Sequence, residues 1–263
     1  MRYKITLSYD GSAFCGWQIQ PSAPTVQDSL ESALSRLLGG QIKVTGAGRT
    51  DTGVNAINYI AHFDAAEGIE TGQLLYKLNA ILPRAIVVTD VAPTADDFHA
   101  RFDARKREYL YFMHRGKDPF VERYSWRQTR PADMELMNRA AESMIGTHDF
   151  RCFEKFGGDN KTSICTVYEA GWHSYVPTHK LLTDKDSTSE AAHCATEGYW
   201  YFRISADRFL RNMVRATVGT LLEVGMGKRS VEEFASLPDS GADRRSAGES
   251  VPGHALFLSG IEY

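Results

Sequence analysis

The chain is organised around a glycine-rich stretch with a polar centre, Gly46-Ala-Gly-Arg-Thr-Asp-Thr-Gly-Val-Asn-Ala56. Three of its first eight residues are glycine, which lets the backbone adopt positive φ angles and lets another segment approach closely. Ile42 and Val44 precede it and predict a short strand. A strand followed by a tight loop that carries Arg49 and Asp51 can hold a carboxylate in a fixed place. Loops on rigid scaffolds often carry function, although a solvated surface turn is the ordinary alternative.

The loop shares features with three known motifs. A P-loop requires a Lys-Ser/Thr pair after its last glycine, where this chain has Val54-Asn55, and a Rossmann fingerprint requires a sixth-place glycine, where it has Asp51. The Asp-Thr-Gly of aspartic proteases does match, with Asp239-Ser-Gly241 as a second copy. Those enzymes share one proton between two adjacent carboxylates. Arg49 favours an ionised Asp51 instead, and no apolar strand leads into the second copy, so the sequence does not favour a protease.

Composition is that of an ordinary globular chain. It has 263 residues, of which 43% are hydrophobic and 24% charged, enough for one large or two small domains. No apolar run approaches the roughly 20 residues of a membrane helix, and the N-terminus lacks a signal-peptide core, so we expect a cytoplasmic protein with no membrane association. The four cysteines form no C-x-x-C pair, and the H-x-E and P-C-x-x-C signatures of zinc deaminases are missing.

Charge is unevenly distributed along the chain. The net charge is −3, but residues 101–130 contain nine Lys/Arg and four Asp/Glu, whereas residues 183–197 are acidic. A basic strip on a mildly acidic protein is compatible with a phosphate-binding face, and a solvated charged surface explains it equally well.

The first hundred residues follow the ferredoxin-like order strand, helix, strand, strand, helix, strand. Alternating apolar residues predict strands over 3–9 and 57–63. Helical spacing predicts one helix that begins at Thr25, with capping-box spacing to Asp28, and a second that is closed by Leu82-Pro83. The other predicted strands pass through Ile42 and Val44 and through residues 86–88.

The remainder of the chain repeats this alternation. We predict strands at 106–114, 165–172, 199–204 and 255–261, helices from Pro131 to Gly146, from Phe209 to Val224 and after a Ser230/Glu233 capping box, and a long loop over 175–198. The expected fold is α+β, with two ferredoxin-like (RNP-like) halves at 1–104 and 105–263, joined antiparallel sheets and a central cleft.

A set of short motifs occurs in a fixed order over nearly the whole chain. The motifs are Tyr9-Asp-Gly-Ser12, Phe14 through Gly16-Trp17-Gln18 and Gln20, Gly46 through Gly53, Leu78-Asn79 with Leu82-Pro83, Phe98-His-Ala-Arg-Phe102, Arg107-Glu-Tyr-Leu-Tyr111, Phe209 with Met213-Val-Arg215, and Leu221 through Gly225. This ordered set resembles the tRNA pseudouridine synthase A family.

The resemblance implies isomerisation of uridine to pseudouridine in the anticodon stem-loop of tRNA (positions 38–40), by a homodimer that uses no metal and no organic cofactor. It implies that Asp51 is the carboxylate that acts on the nucleoside, whether by attacking ribose, attacking uracil or removing a proton. A non-catalytic RNA-binding module is the alternative, and it would not need Asp51.

The resemblance also implies roles for four further residues. Tyr109 would stack on the target uracil, Arg215 would pair with Asp51, Arg49 would help to displace the uridine from the stem, and Leu256 would close the other side of the pocket. Without the resemblance, Tyr109 and Leu256 also fit an ordinary core, and Arg215 fits a helix edge. In place of Asn55, many members have histidine.

Overall fold

A computed structural model describes residues 1–157, 161–183 and 198–263 of the chain. The described residues form a mixed α+β structure whose strands pair mostly antiparallel. They group into two compact units, Met1–Arg107 with Phe257–Tyr263, and Glu108–Leu256. The predicted division into halves at 1–104 and 105–263 stays a prediction, and the grouping by contacts places most of the last strand with the first unit.

The strands, in chain order, are β1 (Arg2–Tyr9), β2 (Val44–Gly46), β3 (Asn55–Asp64), β4 (Ile86–Pro93), β5 (Lys106–His114), β6 (Trp126–Arg127), β7 (Gly146–Asp149), β8 (Ile164–Ser174), β9 (Tyr199–Ala206) and β10 (Leu256–Glu262). The helices are α1 (Val26–Leu38), α2 (Thr71–Ile81), α3 (Met134–Glu142), α4 (Thr178–Thr183), α5 (Met213–Gly225) and α6 (Val231–Ala235).

The first unit is built on β1, which pairs antiparallel with β3 on one side and β4 on the other. The predicted buried face of β1 is confirmed, because Tyr3, Ile5, Leu7 and Tyr9 are all buried. Strand β2 pairs antiparallel with the second half of β3, and β10 pairs parallel with its first two residues. The loop between β2 and β3, residues 47–54, leads directly into the first residue of β3.

The predicted start of α1 is confirmed, and its end is well defined. The Thr25 hydroxyl accepts a hydrogen bond from the Asp28 N–H at 3.3 Å, which satisfies a donor of the first turn. Gly39 ends the helix with φ 75° and bonds the Ser35 carbonyl through its N–H. This left-handed ending is readily adopted by glycine.

The second unit contains the strand order β5-β9-β8-β7, with β6 parallel to β5. Helix α3 packs against α5, α6 and β8. The capping box of α6 is confirmed, because the Ser230 hydroxyl accepts from the Glu233 N–H and the Glu233 carboxylate accepts from the Ser230 N–H.

Two predicted helix starts were wrong. The helix expected at Pro131 begins at Met134, because the Asp133 carboxylate caps it by accepting from the N–H groups of Glu135 and Leu136. The helix expected at Phe209 begins at Met213, because Asn212 has φ 65° and interrupts the helical path.

Smaller differences concern strand and loop positions. Ile57 lies in β3 but is exposed, and Ile42 precedes β2. Helix α4 occupies 178–183 of the segment predicted as a loop, and 184–197, with most of the acidic run, lie outside the described residues.

The helices also contradict the all-β chain that an aspartic protease would need. Within the described ranges, no helix combines the length and apolar character needed to cross a membrane.

Candidate active site

Asp51 lies in the loop that connects β2 to β3. Its side chain is half-buried, the next residue back, Thr50, is buried, and Arg49 is exposed. The Val54 N–H bonds the Asp51 carbonyl at 3.1 Å, and Gly53 within this turn has φ 77°. The turn therefore fixes the backbone on the C-terminal side of Asp51.

Two tyrosines of the sheet hold the N-terminal side of the loop. The Tyr9 hydroxyl shares a buried hydrogen bond of 2.8 Å with the Thr50 hydroxyl. The Tyr59 hydroxyl donates to the Gly48 carbonyl and accepts from the Gly48 N–H at 3.3 Å. Because both tyrosines stand on paired strands, they transfer the rigidity of the sheet to the loop.

A second segment, residues 11–17, packs against the loop through its backbone. The Trp17 N–H bonds the Thr50 carbonyl at 3.2 Å, and the Gly11 N–H bonds the Asn55 Oδ1 atom at 2.9 Å. A Cβ atom on Gly11 would lie 2.1 Å from the Val54 carbonyl oxygen, so only glycine permits this approach. The Asn55 side chain thus has a structural role in joining the two segments.

Aromatic packing surrounds the same segment. Trp17 stacks on Tyr59 with ring centroids 4.1 Å apart, and Phe14 is buried as well. Phe14 and Trp17 therefore belong to the packed interior of this segment, whereas Gln18 and Gln20 are exposed.

Arg107 joins the loop to a neighbouring one. Its Nη2 atom donates to the Ala47 carbonyl at 3.0 Å and to the Arg101 carbonyl at 2.8 Å, and Nη1 donates to Ala104 at 3.3 Å. Sequence analysis missed the roles of Tyr9, Tyr59 and Arg107. Tyr9 and Arg107 belong to the resemblance motifs, and the alternation of apolar residues placed Tyr9 and Tyr59 on predicted strands, but neither signal showed what these side chains bond.

In the second unit, Tyr109 lies on β5 and Arg215 on α5. The Tyr109 ring is half-buried and meets the Phe209 ring edge-on at 5.0 Å. The Arg215 Nε atom donates to the Val251 carbonyl at 2.7 Å, and the Val251 N–H bonds the Arg215 carbonyl at 3.2 Å. Tyr111 is buried near Arg215; burial raises the Tyr111 pKa well above its usual range, and the guanidinium opposes that rise.

Leu256 is the first residue of β10 and is buried, and its N–H bonds the Gly253 carbonyl. Of the five predicted site residues, Arg49 and Asp51 share one loop of the first unit, and Tyr109, Arg215 and Leu256 belong to the second.

The basic strip keeps most of its charge at the surface. Lys106 pairs with Glu262 at 2.8 Å, and the Arg107 guanidinium donates to backbone carbonyls. The exposed cations are Arg101, Arg105, Arg115, Lys117, Arg123, Arg127 and Arg130.

The second Asp-Ser-Gly sequence has a different environment. The Asp239 carboxylate accepts from the Asp149 N–H and from the His148 imidazole, both at 2.6 Å. Across residues 1–157, 161–183 and 198–263, no three His, Cys, Asp or Glu side chains gather as metal ligands would.

Comparison with known proteins agrees with the motifs. A family model described as tRNA pseudouridine synthase matches residues 5–103 and 140–263. The chain is 45% identical over 262 residues to a tRNA pseudouridine synthase A of Bacteroides thetaiotaomicron, a match that covers 100% of this chain and 90% of that protein. It is 38% identical over 267 residues to the protein of that name from Bacillus subtilis, covering 100% and 99%. The chain belongs to the tRNA pseudouridine synthase family.

Proposed function

We propose that this chain isomerises uridine to pseudouridine in the anticodon stem-loop of tRNA, with Asp51 as the ionised carboxylate. Family membership supports the reaction, since relatives at 36–45% identity over the full chain are named tRNA pseudouridine synthase A. The observation that carries the role of Asp51 is its loop, which is fixed by Tyr9, Tyr59 and the backbone of residues 11–17. Such preorganisation is what a reaction that depends on one placed carboxylate requires.

The reaction breaks the N-glycosidic bond of the uridine, turns the uracil and rejoins it to the ribose through C5, which loses its proton. Asp51 supplies the carboxylate that acts on the nucleoside. In the proposal Arg215 pairs with it, which keeps the carboxylate charged. The bond from Arg215 Nε to the Val251 carbonyl supports this role, since it sets the orientation of a planar guanidinium.

Tyr109, Arg49 and Leu256 complete the proposed pocket. Tyr109 stacks on the uracil, Leu256 closes the opposite side, and Arg49 helps to displace the uridine. Extruding a base from a stem costs a few kcal/mol, which stacking and phosphate contacts must offset. The exposed arginines and lysine of residues 101–130 support phosphate contacts.

The finer description of the fold is also a proposal. The first unit supports a ferredoxin-like half, because its strands follow the order β4-β1-β3 with β2 beside β3 and helices after β1 and β3. A second ferredoxin-like half, joined sheets, a central cleft, a homodimer and a cytoplasmic location remain predictions. Sedimentation of the purified protein would test the dimer.

The central experiment measures tritium release from tRNA that carries 5-tritiated uridine. Asp51→Asn should lower the rate at least about 1,000-fold, because it removes the acting carboxylate, and should leave tRNA affinity within about 3-fold. Normal release by this variant would contradict the proposal. Binding of tRNA without release by the wild-type protein would support the alternative of a non-catalytic RNA-binding module.

A second variant tests the partner of Asp51. Arg215→Leu should lower the rate of release, because the carboxylate would lose its cation, whereas Arg215→Lys should recover part of it. Unchanged release by Arg215→Leu would remove Arg215 from the mechanism.

A further inference from the structure

The motif Phe98-His-Ala-Arg-Phe102 plays no part in the reaction as proposed, yet it forms an unusually fixed loop. It follows β4 in the first unit and ends with Phe102, whose ring is 74% exposed. A single exposed apolar side chain is common on a protein surface. The residues around Phe102 nevertheless indicate a function for its ring.

Most of the backbone of this loop is hydrogen-bonded. Every N–H group from residue 98 to residue 103 donates to an acceptor, and every carbonyl from residue 98 to residue 101 accepts from a donor. The N–H groups of residues 98 to 103 donate, in order, to the Ala95 carbonyl, Asp103 Oδ2, His62 Nδ1, His99 Nδ1 twice and the His99 carbonyl. The carbonyls of residues 98 to 101 accept, in order, from Arg2, Asp103, Tyr263 and Arg107. A loop with this many bonds does not adapt easily, so Phe102 is displayed in one position.

His62 supports the loop from within the sheet. Its buried Nδ1 atom accepts from the Ala100 N–H at 3.1 Å, which requires that atom to be unprotonated. Burial, with a contribution from Arg2, lowers the pKa of His62 to about 4, in agreement with this geometry. The loop thus keeps its internal acceptor at neutral pH.

Two side chains next to Phe102 prepare its ring for a planar ligand. The His99 ring lies 4.2 Å away, centroid to centroid, at an angle of 31°, and the Arg101 guanidinium lies 5.6 Å from the ring centroid. An aromatic ring supported by an imidazole and accompanied by a guanidinium is suited to a nucleobase attached to phosphate. Phe102, His99 and Arg101 are named here the Phe102 platform.

The Phe102 platform adjoins the loop that carries Asp51. One nitrogen of Arg107 donates both to the Arg101 carbonyl at 2.8 Å and to the Ala47 carbonyl at 3.0 Å. Phe102 follows Arg101 directly, and Arg49 comes two residues after Ala47. The platform is therefore close enough to the loop to hold a nucleotide near the one that reacts.

We propose that the Phe102 platform is a stacking site for an unpaired base of the anticodon arm, near the target uridine, with Arg101 contacting its phosphate. This inference rests on the proposed function. A second copy of the chain is the other conceivable occupant of an exposed phenylalanine. The guanidinium on the ring and the positive excess of residues 101–130 favour an anionic ligand instead.

The test measures the affinity of a synthetic anticodon stem-loop RNA hairpin by fluorescence anisotropy, with all variants made in the Asp51→Asn background. Phe102→Ala should weaken binding about 5- to 100-fold, whereas Phe102→Tyr should stay within about 2-fold, because stacking needs only a ring. Arg101→Gln should weaken binding and reduce its dependence on salt.

Tyr76→Ala is the matched control, because Tyr76 lies in the same unit, on α2, and is 75% exposed. It should leave affinity unchanged. In the enzyme with Asp51 intact, Phe102→Ala should raise KM and leave kcat within about 3-fold, since stacking contributes equally before and during the reaction.

Four results would overturn the inference: unchanged affinity in Phe102→Ala, full affinity in Phe102→Leu, an equal loss in Tyr76→Ala, or a loss accompanied by a lower sedimenting mass. The last would assign the ring to contact between copies. If the Asp51→Asn protein did not bind the hairpin at all, the proposed function itself would fail, which is a distinct outcome.

Discussion

The chain contains two sequences of the form Asp-Thr/Ser-Gly, and they differ in what holds them. Around Asp51-Thr-Gly53, the surrounding protein holds the loop. The Tyr9 hydroxyl bonds the Thr50 side chain, the Tyr59 hydroxyl bonds the Gly48 backbone, and residues 11–17 approach closely. At Asp239-Ser-Gly241, the aspartate side chain itself fixes the turn, because its carboxylate accepts from the Asp149 N–H and the His148 imidazole.

The difference shows why a three-residue motif predicts so little. Asp239 has φ 62°, and its carboxylate oxygens serve as local acceptors that tie the turn to β7. A carboxylate used in this way stabilises structure. A loop whose backbone is fixed by other groups can instead position a carboxylate for chemistry.

The largest expected effect concerns the position of the carboxylate. Asp51→Glu moves the charge by one methylene in a loop that does not adjust, and we expect tritium release to fall about 100-fold. Asp239→Glu, the matched change in the second copy, should leave release within about 2-fold. Comparable losses in the two variants, or none in either, would remove the distinction between the copies.

Gly11→Ala tests the close approach of the second segment. The new Cβ atom would meet the Val54 carbonyl, so we expect the unfolding free energy to drop by about 2 kcal/mol and tritium release to fall with it. Gly241→Ala adds a Cβ that meets nothing within 4 Å but strains a residue with φ 70°. It should cost about 1 kcal/mol and leave release unchanged.

Urea titrations with release assays on the same preparations would check both variants. Full activity in a folded Gly11→Ala protein would mean that residues 11–17 do not position Asp51.

Local sequence rules identified most elements but not the support of the site. Alternation placed Tyr9 on the buried face of β1, and cap spacing placed the start of α1. The same rules misplaced two helix starts. Asp133 rather than Pro131 sets the start of α3, and Asn212, with its positive φ, sets the start of α5 after Phe209.

The hydrogen bond between Tyr9 and Thr50 joins residues 41 positions apart. Its existence depends on strand register and on the path of the loop, neither of which a local pattern contains. Asp51 itself was found through resemblance to a family, whereas the groups that hold its loop became visible only in the structure.

Tyr9→Phe removes the hydroxyl that bonds Thr50 and leaves a buried Thr50 hydroxyl without that partner. We expect a loss of about 1 kcal/mol in unfolding free energy and a several-fold slower release of tritium. Tyr3→Phe is the matched control on the same strand, because the Tyr3 hydroxyl bonds the Ala66 carbonyl at 3.1 Å, away from the loop. It should lose a similar amount of stability at unchanged activity, and equal slowing in both would indicate a general effect of β1.

The smallest effect belongs to the charge of Asp239. The Asp149 N–H, with the His148 imidazole as a second partner, holds the pKa of Asp239 below its usual value of 3.8. The charge therefore contributes stability above that usual value, and the contribution is lost as pH falls through the lowered pKa. Asp239→Asn should cost about 0.5 kcal/mol at pH 6, because the Asp239 side chain is 58% exposed and its charge is screened by solvent.

The cost should shrink as the pH falls below 3.8 and through the lowered pKa of Asp239, where the wild-type carboxylate also becomes protonated in the folded protein, while tritium release at neutral pH stays normal. Denaturant titrations of both proteins between pH 3 and pH 6 would measure the difference. A difference that is constant over that range would assign the cost to lost hydrogen-bond geometry, and the two aspartates would then differ in position but not in the use of their charge.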